Sequence, residues 1–201
     1  HTFGGGVSVT DGTLNVGNDA ALGTGSLTVN GGVVNLGTSK VGNTVFLNGG
    51  TIAGGTINLA TSASLTATAG TLSSLVEGDG SLTKTGTGTL TITSSNTFTG
   101  GASIAAGTVT LGANNALGAG AVSLTGGSLH LGGNSIVNLV TIAGGTLTGG
   151  SIDVAQLVAN SGTVATVLTG NAGLTTAGNV ALNAANTFTG GVTVAGGTVT
   201  L

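Results

Sequence analysis

Short segments in which every second residue is aliphatic run the length of the chain. Val7-Ser8-Val9, Leu14-Asn15-Val16, Leu27-Thr28-Val29 and Val34-Asn35-Leu36 open the series, each bounded by Gly, Asn or Asp. Period-two alternation of this kind turns one side of a strand to a core and the other to solvent. Corresponding segments return about every 18 to 20 residues, as at Val9, Val29 and Leu47 (29 − 9 = 20; 47 − 29 = 18), which is the length of one short solenoid coil. No segment shows helical periodicity with caps. Strands this short, joined by frequent glycine turns, are most simply satisfied as coils stacked in parallel. The pattern therefore predicts an all-β fold, a right-handed parallel β-helix (β-solenoid) of about ten short coils, roughly 50 Å long.

A longer period lies over the coils. Asn96-Thr97-Phe98-Thr99-Gly100-Gly101 returns as Asn186 to Gly191, and in altered form as His1-Thr2-Phe3-Gly4-Gly5-Gly6, at offsets of 98 − 3 = 95 and 188 − 98 = 90. The offset of 95 persists in detail: Ala21-Leu22-Gly23 matches Ala116-Leu117-Gly118, and Gly49-Gly50-Thr51-Ile52 matches Gly144-Gly145-Thr146-Leu147. It shortens to 92 between Leu82 and Leu174 and to 90 between Leu90 and Val180, which places small deletions near turns, where a solenoid tolerates them. The expected organisation is one continuous solenoid over 1–201, with long repeats at 1–95 and 96–185 and the start of a third at 186–201. Both ends read as cuts through a longer polypeptide, because each falls in a recurring motif; no signal peptide is seen.

Composition changes the picture by exclusion. Glycine supplies 42 residues and proline none, and glycine does not fall at every third position, so collagen is ruled out. Apolar residues make up 39% of the chain, too many for simple disorder. Charged residues make up only 3%, so Thr, Ser, Asn and Gly must cover the exterior. With Lys40 and Lys84 as the only basic side chains and a net charge of -3, no patch can neutralise a row of phosphates, and nucleic acid is excluded as a partner. Polar residues interrupt every apolar stretch short of a spanning helix, and four phenylalanines without Trp or Tyr cannot build the girdles of a membrane barrel. The segment is not expected to enter a membrane.

Candidate chemistry is sparse. Glu77 and Asp79 are the closest acidic pair, and two carboxylates on one strand face could serve glycoside hydrolysis, yet no histidine, arginine or second cluster stands nearby. His130 alternates outward at the position of Asn35 one repeat earlier, and His1 aligns with Asn96 and Asn186, so both read as repeat residues. Asp11, Asp19, Asp79 and Asp153 are too scattered for a calcium-binding nonapeptide series. Phe3, Phe98 and Phe188 share one repeat position and are expected to plug the interior. No catalytic, cofactor-binding or metal-ligating residue is assigned, and no cofactor is expected.

The stretch from Gly78-Asp79-Gly80-Ser81-Leu82-Thr83-Lys84 through Thr85-Gly86-Thr87-Gly88-Thr89-Leu90-Thr91-Ile92 runs into Asn96 to Gly101 and Ala106-Gly107-Thr108-Val109-Thr110-Leu111. It resembles the autotransporter-associated β-strand repeat, also called the passenger-associated transport repeat, and Asn114-Asn115-Ala116-Leu117-Gly118-Ala119-Gly120 fits the same family. The second copy, Gly173-Leu174-Thr175-Thr176-Ala177-Gly178, lacks the lysine and the second Gly-Thr pair. The resemblance implies a β-helical passenger secreted across the outer membrane of a Gram-negative bacterium, often by a C-terminal translocator barrel, and such passengers are commonly adhesins, aggregation factors or parts of very large surface proteins. The expectation is a non-enzymatic structural or adhesive segment of an extracellular or cell-surface fibre. It would associate end to end through unpaired strand edges and contact a host surface, a neighbouring cell or a polysaccharide. The alternative is a threonine-rich solenoid that binds ice or another crystal surface, for which Thr-x-Thr must recur at one place in each coil. In the sequence such pairs cluster at Thr83 to Thr93 without regular repetition. A polysaccharide-degrading β-helix ranks below both.

Overall fold

Alternation along the chain becomes stacking across it. The computed structural model describes residues 3–60 and 63–201, so His1 lies outside the described residues. Val7–Val9, Leu27–Val29 and Val45–Leu47 stand one above the other as parallel strands, Val7 against Leu27 and Leu27 against Val45. This first face continues through Leu65–Ala67, Leu82–Lys84, Ala102–Ile104 and Val122–Leu124. It then takes in the starts of the long strands Val140–Asp153 and Leu157–Thr169, and ends in Leu174–Thr176 and Val192–Val194. A second face runs from Thr13–Asn15 through Thr89–Ile92, Thr108–Leu111 and Ser128–His130 to Val199–Thr200. A third is built where Lys40–Val41 pairs with the end of Thr51–Leu59, and where Val140–Asp153 and Leu157–Thr169 pair at their ends. The protein is a parallel β-solenoid of about ten turns. Among the described residues its single helical turn is Val154–Gln156.

The core is a set of rows running along the axis. On the first face the register carries Val9, Val29, Leu47 and Ala67 to Lys84, and then Ile104, Leu124 and Ile142 to Ala159 and Thr176, all buried. Burying one Val, Leu or Ile side chain in such a row contributes roughly 1.5–3 kcal/mol. Phe98 joins this core at 1% exposure, and Phe188 packs against it half-buried. Phe3 departs from the expected interior plug: it is 43% exposed.

Corners demand glycine where coils approach closely. Gly118 has φ +67°, and a Cβ there would run into the Phe98 carbonyl oxygen one coil below. The nine-residue strand Thr51–Leu59 turns from the second face to the third at Gly54 and Gly55, with φ of 68° and 47°, where the pairing with Gly70–Gly78 shifts register. An L side chain in that left-handed region would be strained.

Measured on the first face, coil lengths vary from 17 to 20 residues, as in Leu65 to Leu82 (82 − 65 = 17) and Val7 to Leu27 (27 − 7 = 20). The 95-residue period is five such coils, since five pairings lead from Val7 to Ala102 (102 − 7 = 95). Five pairings likewise lead from Lys84 to Thr176 (176 − 84 = 92). The first three-residue loss separates the coil Val45 to Leu65 (20) from its counterpart Val140 to Leu157 (17). Two more residues are lost between Lys84 and Leu90 (6) on one side and Thr176 and Val180 (4) on the other. Both losses fall at corners and leave the strands intact.

Candidate functional site

Glu77, one of the acidic pair, faces a lysine. Asn58 pairs with Glu77 and Lys40 with Thr56 on the third face, which brings the Glu77 carboxylate onto the Lys40 ammonium across two coils. Their side chains are 30% and 51% exposed, so this is a surface ion pair worth up to about 1 kcal/mol. The Lys40 backbone N–H donates to Asp19 Oδ1 at 2.8 Å, while Asp79 sits exposed beyond the end of the strand. Among the described residues no three His, Cys, Asp or Glu side chains converge on a point. Among the described residues no helix is long and apolar enough to cross a membrane. His130 is exposed on the second face, its Nδ1 2.9 Å from Thr148 Oγ1 on the next coil.

Lys84 is the polar group with the least expected environment. It is fully buried in the first-face row, between Ala67 below and Ile104 above. The small Ala67 leaves room for its aliphatic stem. Its Nζ donates to three carbonyls, Thr85 at 2.7 Å, Gly86 at 2.9 Å and Ala106 at 3.2 Å. A Cβ at Gly107 would come within 2.6 Å of that nitrogen, so glycine there makes the space for it. Burial pushes the Lys84 pKa below its ordinary value, because loss of water disfavours the ammonium. Alternation alone pointed to this place: Leu82 and Lys84 lie on the same side of Leu82-Thr83-Lys84, and Leu82 faces the core.

The recurring asparagines act in the same way, as internal caps. Asn96 accepts from Val76 N–H at 2.8 Å and donates to Ala116 O at 2.6 Å, which ties three coils together where its own segment leaves the strand pattern. Asn186, at the matching place 90 residues on, accepts from Leu168 N–H at 2.9 Å. Asn43 donates to the carbonyls of Gly23 and Gly25, and Asn138, 95 residues on, to those of Gly118 and Gly120. Ser39 and Asn134 cap the equivalent carbonyls of Val16 and Leu111 with different side chains. Each buried carbonyl or amide satisfied in this way avoids a penalty of about 1–3 kcal/mol.

The exterior holds a pattern that the linear sequence hides. On the second face one outward row runs Thr51, Thr71, Thr91, Thr110, His130 and Thr148 in register. A second row, two residues away, runs Thr89, Thr108, Ser128, Thr146 and Thr163. The residues between the rows, Leu90, Val109, Leu129 and Leu147, point inward and are fully buried. Thr-x-Thr pairs therefore stand in register at Thr89/Thr91, Thr108/Thr110 and Thr146/Thr148, interrupted by Ser128/His130. Unequal coil lengths disguise the spacing along the chain. The first face is less regular, because Phe46 and Val158 interrupt its outward hydroxyls and Leu139 stands 49% exposed beside them.

The passenger-associated-transport-repeat family model matches residues 82–111 and 177–201. The two stretches share Asn96 with Asn186 and Phe98 with Phe188, so the matched motif contains the capping amide and the ring packed beside it. No curated protein and no solved structure matches the chain.

Proposed function

Because the chain carries passenger-associated transport repeats at 82–111 and 177–201, we propose that it is a non-catalytic stiff segment of a secreted or surface-exposed bacterial passenger, serving as a stalk with an adhesive side. The observation that carries this reading is the parallel ladder of the first face, which keeps its register from Val7–Val9 to Leu157–Thr169 over a buried, mainly aliphatic row. A structure in which each coil contacts only its neighbours lengthens by about 4.8 Å per coil and resists bending through continuous hydrogen bonding. Its work is to hold a distance and repeat weak contacts along it. The adhesive side is assigned to the first face, where Phe46, Leu139 and Val158 break a hydroxyl-rich surface with exposed apolar groups. End-to-end association of the 201-residue segment belongs to the same reading, since parallel coils join through unpaired strand edges.

Atomic force imaging of cells displaying the full-length protein tests the stalk. Excising one five-coil unit is expected to shorten the projecting rod by about 24 Å. An unchanged outline or a compact globule would overturn the proposal. The adhesive side is tested by cell aggregation with Phe46→Ser and Val158→Ser, which should reduce clumping while leaving rod length unchanged. Sedimentation of the segment should show mass rising with concentration if the ends associate.

A further inference from the structure

We propose that the paired hydroxyl rows of the second face form a binding grid for the surface of ice. The grid is fixed in both directions by backbone geometry. Along the axis its nodes are one coil apart, about 4.8 Å, and across the strand they are two residues apart, about 6.6 Å. Four consecutive coils, from the pair Thr89 and Thr91 to the pair Thr146 and Thr148, fill both nodes with outward side chains. Among the described residues no protein group takes up the hydroxyls of Thr89, Thr91, Thr108, Thr110 or Thr146, whereas Thr93 at the neighbouring corner bonds Ser73 at 2.9 Å. Each free node offers a hydroxyl for a lattice oxygen and a methyl that restrains the water between nodes.

Charge and area select the occupant. No Asp, Glu, Lys or Arg stands in either row, so the face matches a neutral lattice and not a polyanion or a charged mineral. The rows contain no Phe on which a sugar ring could stack. Three steps of about 4.8 Å by a width of about 7 Å give on the order of 100 Å². A specific protein interface needs about 800 Å² per partner. The grid is too small to hold a soluble protein, but every node can act at once on an extended, rigid and periodic surface. The buried aliphatics between the rows, fully inaccessible from Leu90 to Leu147, keep the nodes from shifting.

This inference is independent of the passenger reading. It is tested by thermal hysteresis and ice-crystal shape with the 201-residue protein. The wild type should show a freezing-point gap and faceted growth. Thr110→Tyr and Thr146→Tyr should each reduce the gap severalfold, while Thr83→Tyr on the first face should leave it unchanged; circular dichroism verifies that all three variants are folded. Filling the irregular coil with Ser128→Thr and His130→Thr should raise the gap. Absence of both hysteresis and crystal shaping, equal sensitivity to Thr83→Tyr, or retention on microcrystalline cellulose without hysteresis would each overturn the proposal.

Discussion

Lys84 and Thr176 occupy the same interior position five coils apart, and they solve its chemistry differently. Lys84 reaches across to three carbonyls, while Thr176 Oγ1 is buried with no hydrogen-bond partner. The corner that follows Thr176 is two residues shorter than the one that follows Lys84. The longer corner and the lysine form one unit, because the carbonyls of Thr85 and Gly86 belong to the segment that the second copy shortens.

Lys84→Met should therefore destabilise the protein at neutral pH by about 1–3 kcal/mol, through carbonyls left buried and unpaired. The difference from wild type should grow with pH. The folded pKa is depressed below 10.5. Between that depressed value and 10.5 the unfolded chain binds more protons than the folded one, so wild-type stability rises with pH across the window. The methionine variant has no such term. Urea unfolding of both proteins at pH 7 and near pH 10 measures it, and a gap that narrows in alkali would refute the assignment.

Thr176→Val is expected to stabilise the protein by about 1 kcal/mol, since it removes an unpaired buried hydroxyl without changing side-chain volume. Thr176→Lys should destabilise it, because the shortened corner does not supply the carbonyl set that surrounds Lys84. Melting temperatures moving in opposite directions for these two variants would establish the point.

How much of this was legible beforehand varies by feature. The coils were legible because one side of most strands is aliphatic, as in Leu27-Thr28-Val29, and burial of such a side has one cheap solution in so short a strand. The long period was legible because Asn96 and Phe98 return as Asn186 and Phe188. What their amides do was not, since Asn96 acts on Val76 and Ala116, each 20 residues away, through backbone atoms common to every residue type. The threonine rows were missed for a geometric reason: Thr91 to Thr110 spans 19 residues, Thr110 to His130 spans 20 and His130 to Thr148 spans 18, so no fixed offset aligns them. Phe3 shares the repeat position of Phe98 yet is 43% exposed where Phe98 is buried, so repeat position alone does not fix burial.

Asn96→Ala should cost about 2–6 kcal/mol, the sum for one buried N–H and one buried C=O left without partners. Asn186→Ala should cost less than Asn96→Ala, because Asn186 is half-buried and its side chain holds Leu168 N–H from a more accessible position. Hydrogen exchange sharpens the test: the Val76 amide should lose protection in the first variant and the Leu168 amide in the second. Loss of protection spread evenly over all coils would show that the asparagines are not local clamps.

Gly118→Ala and Gly133→Ala separate two costs that corner glycines combine. Both residues have positive φ, +67° and +84°. Beside Gly133 nothing lies within 4 Å of an added Cβ, whereas at Gly118 the same atom would strike the Phe98 carbonyl oxygen. The Gly133 variant should lose about 1–2 kcal/mol, the penalty of placing an L residue in the left-handed region. The Gly118 variant should lose clearly more, because the coil carrying Phe98 must move away from the one above it and backbone atoms cannot yield as a flexible side chain does. Denaturation midpoints of the two variants give the comparison directly. Equal losses would mean that backbone conformation alone selects glycine at these corners, and that the close approach of successive coils contributes nothing.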